Sequence, residues 1–171
     1  MREQQTGREN MKTSIIYNSY SGNTRGIAEQ IRKSCGGDLI EVKSRDYLSR
    51  FVAFTIQCFL APKERDDGTG PESIDVSGSD LVVIGTPVWG GKPTPAVKKA
   101  VAGLHGCEGK PVVIFATCGE KPGETLAILA EALSVKGMTV AGQFSFNKNE
   151  VRDRNAVNAL VAKIQETGSR P

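Results

Sequence analysis

The chain has 171 residues, 39% of them hydrophobic and 24% charged, the size and make-up of one soluble domain with a substantial core. Its formal net charge of +3 is spread without a run of five basic residues, so nucleic acid is not an expected partner. Cys35, Cys58, Cys107 and Cys118 form no CxxC pair and His105 is the one histidine, which argues against a Cys/His zinc centre and a disulfide framework.

Residues 1–10 are polar and lack the apolar stretch of a signal peptide. They are expected to form a flexible tail, with Met11 an alternative start and residues 11–171 a single domain in a reducing cytoplasm. The β-branched run at 13–17 predicts a strand. Residues 22–34 predict a helix with Ile27, Ala28 and Ile31 on one face. A short strand at 39–42 and a second helix at 47–61 follow. Residues 62–79, rich in Gly, Pro, Asp and Ser, predict a loop. The apolar run 81–85 predicts a strand buried on both faces. Residues 95–102 predict a helix and 111–117 another buried strand. A helix at 124–135 is closed near Gly137. A strand at 138–146 and a helix at 150–167 end the chain.

Five strands alternating with helices imply a parallel sheet covered on both faces, with right-handed crossovers. Such sheets bind ligands beyond the carboxyl ends of their strands. The informative loops are therefore those after the first, third and fourth strands.

The first loop reads Ser19-Tyr20-Ser21-Gly22-Asn23-Thr24 and runs into a helix. Free N–H groups and the dipole of a helix N-terminus attract an anion. Ser19, Ser21 and Thr24 add hydroxyls, and Gly22 permits close approach. A Walker A lysine and a GxGxxG pattern are both missing. Neutral donors suit a terminal monophosphate; the competing reading is that Ser, Asn and Thr simply cap the helix. The motif Ser-x-Ser-Gly-Asn-Thr resembles the FMN phosphate loop of the flavodoxin family, and the order of elements matches that family from about residue 11 to 167. The resemblance implies a five-stranded sheet in the order 2-1-3-4-5, with FMN as cofactor.

The third strand leads into Gly85-Thr86-Pro87-Val88-Trp89-Gly90-Gly91-Lys92-Pro93-Thr94-Pro95. Trp89, the one tryptophan, offers an aromatic face for a flat ring, or else belongs to the core. This segment resembles the middle FMN loop of flavodoxins, which implies cofactor contacts from Thr86, Pro87, Val88, Trp89, Gly90 and Gly91. It also implies a peptide at Gly90-Gly91 able to flip as the flavin is reduced. The fourth strand ends in Thr117-Cys118-Gly119-Glu120-Lys121-Pro122-Gly123. By the same resemblance Thr117, Cys118 and Gly119 border the pyrimidine end of the ring.

Two features depart from the family. The third loop lacks the tyrosine that many flavodoxins place over the second ring face. The chain is slightly basic where flavodoxins are acidic, and Lys92 and Lys121 lie in predicted ring loops. Cys118 has no histidine base in view, so packing is favoured over chemistry. The aromatic segment 47–60 is too short and too interrupted to span a bilayer. It predicts a helix packed on the sheet, or a dimer surface or lid. The favoured function is a one-electron carrier between redox partner proteins, with no catalytic residue of its own, no membrane insertion, and a monomeric or homodimeric state. The alternative is an NAD(P)H-dependent quinone or flavin reductase. A phosphoacceptor domain of the same topology is rejected, because the ends of the first and third strands carry no carboxylate.

Overall fold

The structure, a computed structural model, describes residues 11–43 and 73–169. The expected helix at 47–61 and the tail at 1–10 lie outside the described residues. The elements are β1 (Thr13–Tyr17), α1 (Asn23–Cys35), β2 (Asp38–Glu41), β3 (Ile74–Asp75), β4 (Leu81–Trp89) and β5 (Lys92–Pro93). They continue with α2 (Pro95–Ala102), β6 (Leu104–His105), β7 (Pro111–Thr117), α3 (Thr125–Val135), β8 (Thr139–Phe146) and α4 (Arg154–Gly168).

The main strands pair in parallel in the order β2-β1-β4-β7-β8. Counting only these five, the order is the expected 2-1-3-4-5. Alternate residues of each strand face opposite sides. Ile16, Val82, Ile84, Val112 and Ile114 point toward α2 and α3, where Val97, Val101, Leu129 and Leu133 cover them. Ile15, Val83, Val113 and Phe115 point the other way, toward Ile27 and Ile31 of α1 and Leu160 and Ile164 of α4. Each such aliphatic side chain contributes about 1.5–3 kcal/mol by leaving water. The buried residues Val157, Leu160, Val161 and Ile164 recur at helical spacing, which is why α4 docks on one face.

Most element bounds agree with the sequence reading. Two differences have clear causes. Within the predicted loop 62–79, Ile74–Asp75 form a strand paired with Leu104–His105. Ile74 and Val76 are held in the core, but the pattern is too short to stand out and its partner lies about thirty positions on. The predicted helix at 150–167 is interrupted at Asp153, which is extended and accepts the N–H of Asn155 at 2.9 Å. A 3-10 turn at Glu150–Arg152 precedes it. The stop of α3 follows expectation: Gly137 is left-handed at φ 77°. Its N–H reaches the Ser134 carbonyl, and that of Met138 reaches Leu133, which satisfies the last carbonyls.

Candidate functional site

The three loops singled out by the sequence meet beyond the carboxyl ends of β1, β4 and β7. The first begins at Asn18, whose N–H donates to the Gly85 carbonyl and whose amide donates to the Val42 carbonyl at 2.6 Å. Asn18 thus ties the loop to the segments on both sides. Its Oδ1 is buried with no partner among the described residues. Sequence reasoning did not single it out, since an Asn after a strand reads as ordinary turn chemistry.

Gly22, left-handed at φ 88°, is the N-cap of α1 and brings no side chain of its own to the helix start. The capping alternative holds in part: a Ser19 hydroxyl bond covers one N–H of the first turn of α1, while Ser21 and Asn23 make no such bond among the described residues. Ser19 is buried, and its hydroxyl accepts the N–H of Arg25 at 3.2 Å. The N–H groups of Gly22, Asn23 and Thr24 donate to nothing among the described residues. A Cβ on Gly22 would project into open space. No acidic residue occupies the first turn of α1. Exposed N–H groups, a positive helix end and an uncrowded glycine fit a phosphate monoester. Ser21 and Asn23 are exposed beside them. Thr24 is buried, and its hydroxyl lies 2.8 Å from that of Thr117.

The middle segment is a β-hairpin rather than a loop, a correction to the sequence reading. β4 runs on through Trp89, Val88 faces Pro93, and Trp89 faces Lys92. Only Gly90 and Gly91 remain as the turn, with φ 57° and 77°. Two positive φ values in a two-residue loop make a type I′ turn, which suits the twist of the strands and selects glycine. Thr86 is fully buried. Its hydroxyl donates to the Pro87 carbonyl at 2.9 Å and accepts the Thr94 N–H at 3.2 Å, closing the neck of the hairpin. Pro87, Val88 and Trp89 are half-buried. Among the described residues Trp89 lies outside both core clusters, which speaks against the core reading. Its ring meets Tyr20 edge to face, with centroids 6.3 Å apart and planes at 82°. The two aromatic side chains of the candidate site therefore form one wall, with Tyr20 55% exposed.

In the third loop the Cys118 N–H donates to the Phe146 carbonyl at 2.9 Å, and its thiol points at the same oxygen. Burial, helped by Glu150, pushes the Cys118 thiol above the usual thiol range. A neutral thiol is a poor nucleophile, which agrees with packing. Gly119 is exposed. Gly123, at φ 56°, lies against Gly91, whose carbonyl accepts the Glu124 N–H at 2.8 Å. Lys92 and Lys121 are exposed. Arg25 is instead paired with Glu41 at 2.6 Å. Among the described residues, no three His, Cys, Asp or Glu side chains cluster to hold a metal, and no helix is long and apolar enough to cross a membrane.

A phosphate cradle, an aromatic wall and a glycine hairpin at the carboxyl edge of a 2-1-3-4-5 sheet define a flavodoxin-like, FMN-binding protein. The sequence pattern of the NADPH-dependent FMN reductases matches residues 11–153, and the chain belongs to that family. No curated protein matches it significantly. Solved structures of similar fold include a candidate flavoprotein from Bacteroides uniformis, 18% identical, TM-score 0.66, covering 90% of this chain and 99% of that one. A flavoprotein from Lactobacillus acidophilus, solved with FMN, is 25% identical with a TM-score of 0.53, covering 79% and 93%. A flavodoxin from the domain Archaea is 17% identical with a TM-score of 0.57, covering 92% and 99%.

Proposed function

We propose that the protein is an NADPH-dependent oxidoreductase that uses FMN held by the three loops to reduce a quinone or a second flavin. The observation that carries this reading is the family match over residues 11–153. The third loop supports it, because residues 118–124 carry no aromatic side chain. No third-loop side chain therefore takes the part of the covering tyrosine of a carrier, which suits a ring face that a nicotinamide shares.

When bound, FMN accepts a hydride and can release electrons singly or in pairs. The chain's own part is binding and orientation. The N–H groups of Gly22, Asn23 and Thr24, with the end of α1, hold the phosphate. Ser21 and Asn23 add donors at its rim. Trp89, braced by Tyr20, supplies the apolar wall for the ring. Gly90 and Gly91 keep side chains away from it, and Thr117, Cys118 and Gly119 border its polar end. Lys92 and Lys121 bring positive charge near a group that becomes anionic on reduction. The described cysteines Cys35, Cys107 and Cys118 are free thiols, in keeping with a cytoplasmic location. A monomer or a homodimer would serve.

The one-electron carrier is the second reading, favoured by the Gly90-Gly91 turn. The peptide between two glycines of a type I′ turn can reverse at little steric cost. Anaerobic FMN-loaded protein mixed with NADPH, with NADH and with dithionite separates the two. Rapid bleaching of the flavin by NADPH is expected. Reduction by dithionite alone, with a blue one-electron form building up, would replace the reductase with the carrier.

A further inference from the structure

The hydroxyls of Thr24 and Thr117 form a pair that the phosphate-loop motif does not explain. They lie 2.8 Å apart and 93 positions apart in sequence. Thr24 is 1% exposed and Thr117 6% exposed. Neither hydroxyl makes another hydrogen bond among the described residues. A threonine hydroxyl has one proton to donate and can accept twice. The pair therefore holds two protons, and only one is used between the partners.

Two arrangements are possible. Thr24 donates to Thr117 and leaves the Thr117 proton spare, or Thr117 donates to Thr24 and leaves the Thr24 proton spare. Thr24 lies in the first turn of α1, beside the N–H groups of Gly22 and Asn23 that have no partner among the described residues. A phosphate monoester there accepts protons and donates none at neutral pH. It selects the second arrangement, in which each hydroxyl polarises the next.

We propose that Thr117 is a positioning residue that donates to Thr24 and so commits the Thr24 hydroxyl to the FMN phosphate. Thr117 then acts on the phosphate end of the cofactor, although its place at the end of β7 assigns it to the ring. It makes the third loop part of the discrimination between FMN and riboflavin, which differ only in that phosphate. The inference rests on FMN binding and is independent of whether NADPH is the reductant.

The test is titration of the full chain, freed of flavin, with FMN and with riboflavin, followed by quenching of flavin fluorescence. Thr117→Val should weaken FMN about three- to tenfold, the scale of one neutral hydrogen bond that orients the donor to the phosphate. Riboflavin affinity should stay within about twofold, and Thr117→Ser should restore FMN binding. In a Thr24→Val background, Thr117→Val should add nothing, since its route to the phosphate is already cut. If Thr117→Val fails to fold, Thr117→Ala against Thr117→Ser carries the same comparison. Equal losses for FMN and riboflavin, unchanged FMN affinity, or a full additive loss on top of Thr24→Val would each overturn the proposal.

Discussion

Gly91 and Gly123 meet backbone to backbone: a Cβ on Gly123 would lie 2.6 Å from the Gly91 Cα, and the next residue, Glu124, donates its N–H to the Gly91 carbonyl at 2.8 Å. The hairpin turn and the third loop are therefore one unit. Gly123 is also left-handed at φ 56°, so a side chain there meets both strain and a clash. Gly123→Ala is expected to weaken FMN binding about tenfold, with about 1–3 kcal/mol lost in stability. Flavin titration and thermal melting check the two effects. Affinity and stability both at the wild-type level would mean that the loops fold independently.

Gly85 serves the core. A Cβ there would come within 2.3 Å of the Phe115 ring, which lies across β4. Phe115 is fully buried and cannot swing into solvent. Gly85→Ala should cost about 1–3 kcal/mol through overpacking, seen as a melting temperature lower by several degrees. Phe115→Leu in the same chain should recover part of the loss.

The strands of this fold are legible because Val82, Val83, Ile84, Val112, Val113 and Ile114 are buried on both sheet faces. Unbroken apolar runs announce that burial. The glycine stop at Gly137 is equally readable, being local chemistry. The hydroxyl-rich run Ser19 to Thr24 ahead of α1 is readable for the same reason. What stays hidden is whatever depends on a distant partner. The Ile74 strand needs Leu104, the Thr24 hydroxyl needs Thr117, and the Trp89 ring needs Tyr20. The hairpin stays hidden because Lys92-Pro93 is too short to read as a strand, and its pairing shows only as two adjacent glycines.

Lys92 faces Trp89 across the hairpin and is exposed. A cation at this place favours the more negative, reduced flavin. Lys92→Glu should shift the potential for full reduction to more negative values, and the shift should shrink as salt is raised. A spectroelectrochemical titration at low and high ionic strength reads both. An unmoved potential would make Lys92 a solvated surface residue.

Alkaline pH should expose a shared weakness. Burial, aided by Glu41, raises Tyr17 above its ordinary value, and burial likewise raises Cys35 and Cys118. Each group holds its proton more tightly folded than unfolded. Its contribution is complete below the unfolded pKa and fades as pH climbs toward the folded one. Stability should be level between about pH 6 and 8 and decline above about pH 9. Melting curves across that range test the decline, and Cys118→Ala should soften it. Iodoacetamide should label native Cys118 slowly at neutral pH.

The Thr24–Thr117 pair also bears on the order in which the molecule comes into being. A ribosome releases Thr24 long before its partner, and the Gly91 turn long before Glu124. A nascent chain that ends short of β7 has a helix N-terminus but no completed pocket, so it has little hold on a flavin. Cofactor capture is thereby postponed until the centre of the sheet is assembled. Retained yellow colour is then a certificate that the two halves of the chain have met.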